Sequence, residues 1–135
     1  MRIFLDANIL FSAAKTAGAI RQLLALLDKA GHECCADGYV IEEARRNLVA
    51  KAPGAVTEFE RLVSRMKTAG AHRGDALEES LPLPAKDQTV LAAAIRLRCG
   101  ALVTGDRAHF GELYGRTIKG VTVHSPRSLA EALLG

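Results

Sequence analysis

Tryptophan is absent, and aromatic residues make up only 4% of the 135-residue chain. That scarcity removes the stacking platform on which bases are often held. It also leaves the core to Leu, Ala, Val and Ile, which suit helices packed on a sheet. Charge of one sign is scarce as well: the formal net charge is +3, so affinity for a polyanion must come from a local basic rim and not from a field around the whole molecule. The cysteines Cys34, Cys35 and Cys99 are odd in number and form no C-x-x-C pair, which argues against a disulfide framework or a zinc site and fits a reduced cytoplasm. No apolar run approaches the length of a membrane span. The opening Met-Arg-Ile-Phe-Leu-Asp reaches a carboxylate at Asp6, so no signal peptide is expected and the mature chain is expected to start here. Repeats, low-complexity tracts and linkers are also missing. What is present, 135 residues of which 49% are apolar, implies one domain over residues 1–135 with a real core.

Hydrophobic periodicity orders that domain. Residues 2–5 predict a strand and 18–30 a helix, with Ile20, Leu23, Leu24 and Leu27 on one face and Gly31 as its stop. A strand is expected over 32–36, a helix over 38–50 ended by Pro53-Gly54, and another over 55–68 with Phe59, Leu62, Val63 and Met66 inward. Gly70 to Pro84, punctuated by Gly74 and Pro82, reads as a long surface loop holding a short extended segment. Asp87 opens an Ala-rich helix that runs to Arg98 and ends at Cys99-Gly100; strands over 101–104 and 121–123 and a helix over 125–134 complete the chain. Strands alternating with helices imply right-handed crossovers and a three-layer α/β/α sandwich with a mainly parallel central sheet.

Four carboxylates stand out against this framework: Asp6, Glu43, Asp87 and Asp106. Asp6 and Asp106 follow apolar strands, and in an open α/β sheet ligands bind beyond the carboxyl ends of the strands. Clustered carboxylates repel and raise one another's pKa unless a cation joins them, so a divalent-metal site is the economical reading. Each acid also has a plain structural role. Asp6 and Asp106 suit turns or caps, and Asp87 suits a helix N-cap, which leaves one oxygen for a metal. Helical geometry separates Glu42 from Glu43. With Val40, Ala44 and Leu48 buried, Glu42 lies opposite the stripe while Glu43 borders it. Glu42 is therefore read as a surface partner of Arg46.

Arg45, Arg46, Lys86 and Arg107 lie within a few positions of the acids and would rim the crevice if the acids converge. A solvated helix face is the alternative for the two arginines. Asn8 is placed to hold Asp6 by its amide, and Gly105 is expected to make the tight turn that brings Asp106 forward.

Taken together, Leu-Asp-Ala-Asn-Ile-Leu, Glu-Ala-Arg-Arg-Asn-Leu, Asp-Gln-Thr-Val-Leu-Ala-Ala-Ala-Ile and Leu-Val-Thr-Gly-Asp resemble the PIN domain family over essentially the whole chain. Many small single-domain members are ribonuclease toxins of the VapC type, paired with an antitoxin. The resemblance places Asp6, Glu43, Asp87 and Asp106 at the acidic positions, with Asn8 and Thr104 as supporting polar residues. It implies a cytoplasmic endoribonuclease acting on single-stranded or structured RNA, the toxin of a toxin–antitoxin pair and a homodimer. Many PIN domains carry a further acid about two residues after the one matching Asp106, whereas this chain reads Asp106-Arg107-Ala108-His109 before Glu112. The departure leaves one metal or two open, and leaves room for His109 or Glu112 to contact substrate or a metal-held water.

Hard carboxylate ligands without Cys or paired His select Mg²⁺ or Mn²⁺. Asp6, Asp87 and Asp106 are accordingly assigned as metal ligands, with Glu43 as ligand or as orienter of the attacking water. Arg45, Arg46, Lys86 and Arg107 are assigned to RNA. A receiver domain is disfavoured because the middle of the chain is helical, and a D-x-D phosphatase because Asp6 is followed by Asn8. The remaining alternative is a catalytically inactive PIN-like RNA- or protein-binding module.

Overall fold

The computed structural model describes residues 1–72, 77 and 81–135. Much of the surface loop expected over 70–84, Gly74 included, lies outside the described residues. The sheet is built around β1 (Arg2–Leu5), whose Ile3, Phe4 and Leu5 are fully buried. A strand flanked on both sides and covered on both faces has no solvent-facing row, which is why its sequence is a continuous apolar run and not an alternation. On one side of β1 lie β2 (Glu33–Asp37) and then β3 (Lys67–Ala69); on the other lie β4 (Ala101–Val103), β6 (Val121–His124) and β5 (Thr117–Ile118). All neighbours run parallel except β5, which pairs antiparallel with β6. The fold is therefore a mostly parallel α/β sandwich of the kind expected.

The helices are α1 (Ala7–Lys15), α2 (Ala19–Lys29), α3 (Gly38–Lys51), α4 (Val56–Ser64), α5 (Ala85–Arg96), α6 (Arg107–Phe110) and α7 (Pro126–Leu134). Helix α1 was not expected. It buries Ala7, Ile9, Leu10, Ala13 and Ala14, packs on α3 and α4, and meets α2 at 106°. No single helix among the described residues is long and apolar enough to cross a membrane. Three of the four phenylalanines, Phe4, Phe59 and Phe110, are fully buried.

Several boundaries differ from expectation. The helix expected over 55–68 ends at Ser64, and Lys67–Ala69 is an edge strand beside β2. Residues 70–84 thus follow β3 directly. Helix α5 begins at Ala85 behind an N-cap at Pro84, so Asp87 lies inside the first turn and does not cap. Its far end is closed by Arg98 at φ 56°, with Cys99 N–H donating to Ala94 C=O at 3.0 Å. A non-glycine residue therefore makes the left-handed stop, just ahead of the Cys99-Gly100 expected to end the helix.

The chain leaves β1 for β2 and β3 on one side, then returns through α5 to β4 on the other. The strand order reverses between β1 and β4, where an open α/β sheet parts at its carboxyl edge to form a crevice. Asp6 N–H donates to Val103 C=O at 3.1 Å, binding the two strand ends together at that point.

Candidate active site

Asp6 follows β1 and caps α1. One carboxylate oxygen accepts from Ala7 N–H at 2.8 Å. The other accepts from the Thr104 hydroxyl at 2.8 Å and from the Asn8 amide at 3.2 Å. Thr104, fully buried just beyond β4, also accepts from Asp106 N–H at 3.1 Å, and its carbonyl takes the Tyr114 hydroxyl at 2.8 Å. Asn8 Oδ1 accepts from Gly105 N–H at 2.8 Å. A Cβ at residue 105 would lie 3.3 Å from Asn8 Oδ1. Gly105 is thus favoured by this close approach, not by a left-handed turn.

Asp106 caps α6, its Oδ1 accepting from His109 N–H at 3.2 Å. The same turn swings the His109 ring back, so that Nδ1 lies 2.8 Å from Asp106 Oδ2 and 3.0 Å from Asp87 Oδ2. Asp87, presented by the first turn of α5, is buried, and its Oδ2 has no hydrogen-bond partner among the described residues. Glu43 comes from the middle of α3, and Lys86 Nζ lies 4.0 Å from its Oε1.

All four acids line one cleft of about 470 Å³. Burial pushes the Asp6 carboxyl above its ordinary value, with bonds from Thr104 and Ala7 opposing and the charges of Glu43 and Asp87 adding. Burial likewise raises Asp87, opposed by His109 and Lys86 and assisted by Asp106 and Glu43. The acids are therefore close enough for each to disfavour the other's charge, the situation a cation relieves. The buried Asp87 Oδ2 points the same way: it has the His109 ring nitrogen beside it at 3.0 Å but makes no hydrogen bond among the described residues, and a buried carboxylate oxygen without one is costly. Hard oxygen donors of this kind fit Mg²⁺ or Mn²⁺.

Not every residue assigned to this crevice reaches it. Arg45 is held by Glu60 at 2.9 Å and Glu42 at 3.0 Å and lies over the Phe59 ring. Arg46 lines a separate depression with Tyr39, Glu42 and His72. Neither arginine lines the acidic cleft. The pairing expected of Glu42 with Arg46 is corrected: Glu42 pairs with Arg45 three residues on. Arg107 is exposed at the start of α6, and neither it nor the exposed Glu112 lines the cleft.

In their place the cleft is lined by Lys51, Asn47, Ser12 and Phe11, with Lys86. Glu43, Asn47 and Lys51 follow at i, i+4 and i+8 along α3, one face of a helix, a spacing readable before the structure was known. Phe11, half-buried, is flanked by Lys15 at 5.6 Å and Lys51 at 6.0 Å.

A family model described as a PIN domain matches residues 2–108. No curated protein matches the chain in sequence. Among solved structures, VapBC2 from Rickettsia felis, bound to a DNA fragment from their promoter, is similar with a TM-score of 0.65 at 16% identity, covering 93% of this chain and 98% of that one. VapC20 of Mycobacterium tuberculosis, described as a Sarcin-Ricin loop cleaving toxin, is similar with a TM-score of 0.51 at 16% identity, covering 74% of this chain and 86% of that one.

Proposed function

Because this chain belongs to the PIN domain family, we propose that it is a single-domain, divalent-metal-dependent endoribonuclease acting on single-stranded or structured RNA. It would be the toxin partner of an antitoxin in the cytoplasm. The observation that carries this reading is the meeting of Asp6, Glu43, Asp87 and Asp106 in one cleft at the sheet's switch point. The likeness in fold to VapBC2 and to a loop-cleaving VapC20 supports the toxin assignment.

Asp6, Asp87 and Asp106 would hold Mg²⁺ or Mn²⁺. When bound, such an ion acidifies water and neutralises charge on the phosphodiester and the leaving oxygen. The chain's own residues do the rest. Thr104 and Asn8 lock the Asp6 carboxylate so that no reorientation is needed during the reaction. Glu43, presented by α3, would orient the attacking water and accept its proton, or complete the ligand set. Lys51 and Lys86 meet the phosphates on either side of the acids, with Arg107 beyond them. Water displaces a ribose oxygen, so no covalent enzyme intermediate is required.

Purified protein should cleave single-stranded RNA with Mg²⁺ or Mn²⁺ and stop when a chelator is added. Cleavage that survives chelation would sink the mechanism. RNA binding without cleavage in any metal would leave an inactive binding module.

A further inference from the structure

We infer that His109 is a nitrogen ligand of the divalent ion held by Asp87 and Asp106, and that it tilts the site toward a first-row transition-metal ion over Mg²⁺. The inference rests on the metal reading above and adds a donor of a different chemical class to it.

His109 Nδ1 lies 2.8 Å from Asp106 Oδ2 and 3.0 Å from Asp87 Oδ2. At those lengths an ordinary His–Asp pair would be hydrogen-bonded, yet Nδ1 and Asp87 Oδ2 are both buried and neither makes a hydrogen bond among the described residues. Three donors, one from each side chain, fall within 4.8 Å of one another. Around an octahedral ion with metal–oxygen distances of about 2.0–2.1 Å, adjacent donors sit roughly 2.9 Å apart. The two distances from Nδ1 to the carboxylate oxygens match that spacing.

The local sequence builds this arrangement. Asp106 spends Oδ1 on the His109 N–H, which closes the turn, sets the ring facing back, and leaves Oδ2 on the same side. The His109 side chain keeps 40% of its surface exposed while Nδ1 is enclosed, so Nδ1 is the ring nitrogen turned toward the two acids. No carboxylate follows Asp106 until Glu112, which is exposed; the imidazole is the donor this segment offers. Imidazole suits transition-metal ions, whereas Mg²⁺ takes oxygen ligands and keeps its waters.

The alternative is that a protonated His109 acts as a counterion and leaves when metal enters. Pulsed electron paramagnetic resonance on Mn²⁺ added to the full chain separates the two. Directly bound imidazole nitrogen should couple to the Mn²⁺ spin in the wild type, shift when histidine is ¹⁵N-labelled, and vanish in His109→Gln. The labelling arm needs no variant and so does not depend on one folding. Mn²⁺ affinity should also drop by about 10-fold or more in His109→Gln, since even outer partners of metal ligands cost roughly 10–100-fold when removed, and Mg²⁺ affinity should drop less. Mn²⁺ binding with no nitrogen coupling, or equal or tighter Mn²⁺ binding by His109→Gln, would overturn the inference and leave the metal reading standing. No Mn²⁺ or Mg²⁺ binding by the wild type would overturn both.

Discussion

The Thr104 hydroxyl donates to the Asp6 carboxylate at 2.8 Å across 98 residues of sequence. That one bond joins the end of β1 to the end of β4 and opposes the upward push that burial gives the Asp6 carboxyl. The same hydroxyl oxygen accepts from Asp106 N–H, so it positions two of the acids at once.

Thr104→Val keeps the shape and removes the hydroxyl. Asp6 loses a donor in a buried setting and Asp106 N–H an acceptor in a part-buried one, so stability should fall by about 1–3 kcal/mol. Urea denaturation of the metal-free protein measures this, and a loss below the error of the method would show that water replaces the hydroxyl.

Burial raises the carboxyl of Asp87. The fold therefore holds a proton that the unfolded chain has already lost, and stability falls as pH rises from the ordinary aspartate value through the raised one. Above that window the full cost remains. Asp87→Asn should remove this share of the slope and raise the melting temperature of the metal-free protein at pH 7, while RNA cleavage falls by orders of magnitude. Melting curves across pH in chelator check it; a variant less stable than wild type at pH 7 would make Asp87 a structural residue.

Metal should reverse that cost in the wild type. At a free concentration 100 times its dissociation constant, Mg²⁺ or Mn²⁺ should stabilise the fold by about 2.7 kcal/mol, and Asp87→Asn should show little of this. Equal stabilisation of both proteins would place the ion elsewhere.

Salt dependence tests the revised basic rim. Each lysine that contacts a phosphate should add roughly 0.7 to the log–log slope for single-stranded RNA. Lys51→Ala with Lys86→Ala should flatten it, whereas Arg45→Ala with Arg46→Ala should not, because Arg45 is committed to Glu60 and Glu42. The reverse result would restore the arginines to the RNA path.

Gly105→Ala would bring a Cβ to 3.3 Å from Asn8 Oδ1, an oxygen already tied to Gly105 N–H while its amide nitrogen is tied to Asp6. Asn8 has little freedom to yield. Overpacking of this kind costs about 1–3 kcal/mol, and metal affinity should fall with it; an isothermal titration unchanged from wild type would show that Asn8 does not hold Asp6.

Local pattern was enough for much of this molecule. The apolar run of β1, the 3-and-4 spacing of α2 before Gly31, and the stripe of Val40, Ala44 and Leu48 on α3 are properties of short segments, and each element formed where its segment called for it. The geometry of α3 likewise separates Glu43, on the cleft wall, from the outward Glu42. Tertiary structure decided what no segment carries. Helix α1 exists because α3 and α4 cover its buried residues. Lys67–Ala69 became a strand because β2 offered an open edge, although the apolar spacing through Met66 continued a helix. Arg45 was drawn to Glu60, 15 residues away, and so left the rim its neighbourhood in sequence had suggested. His109 reached Asp87 and Asp106 only through the turn that Asp106 itself caps. Periodicity is a local signal, whereas the meeting of side chains depends on strand order, and strand order is settled only when the whole sheet is assembled.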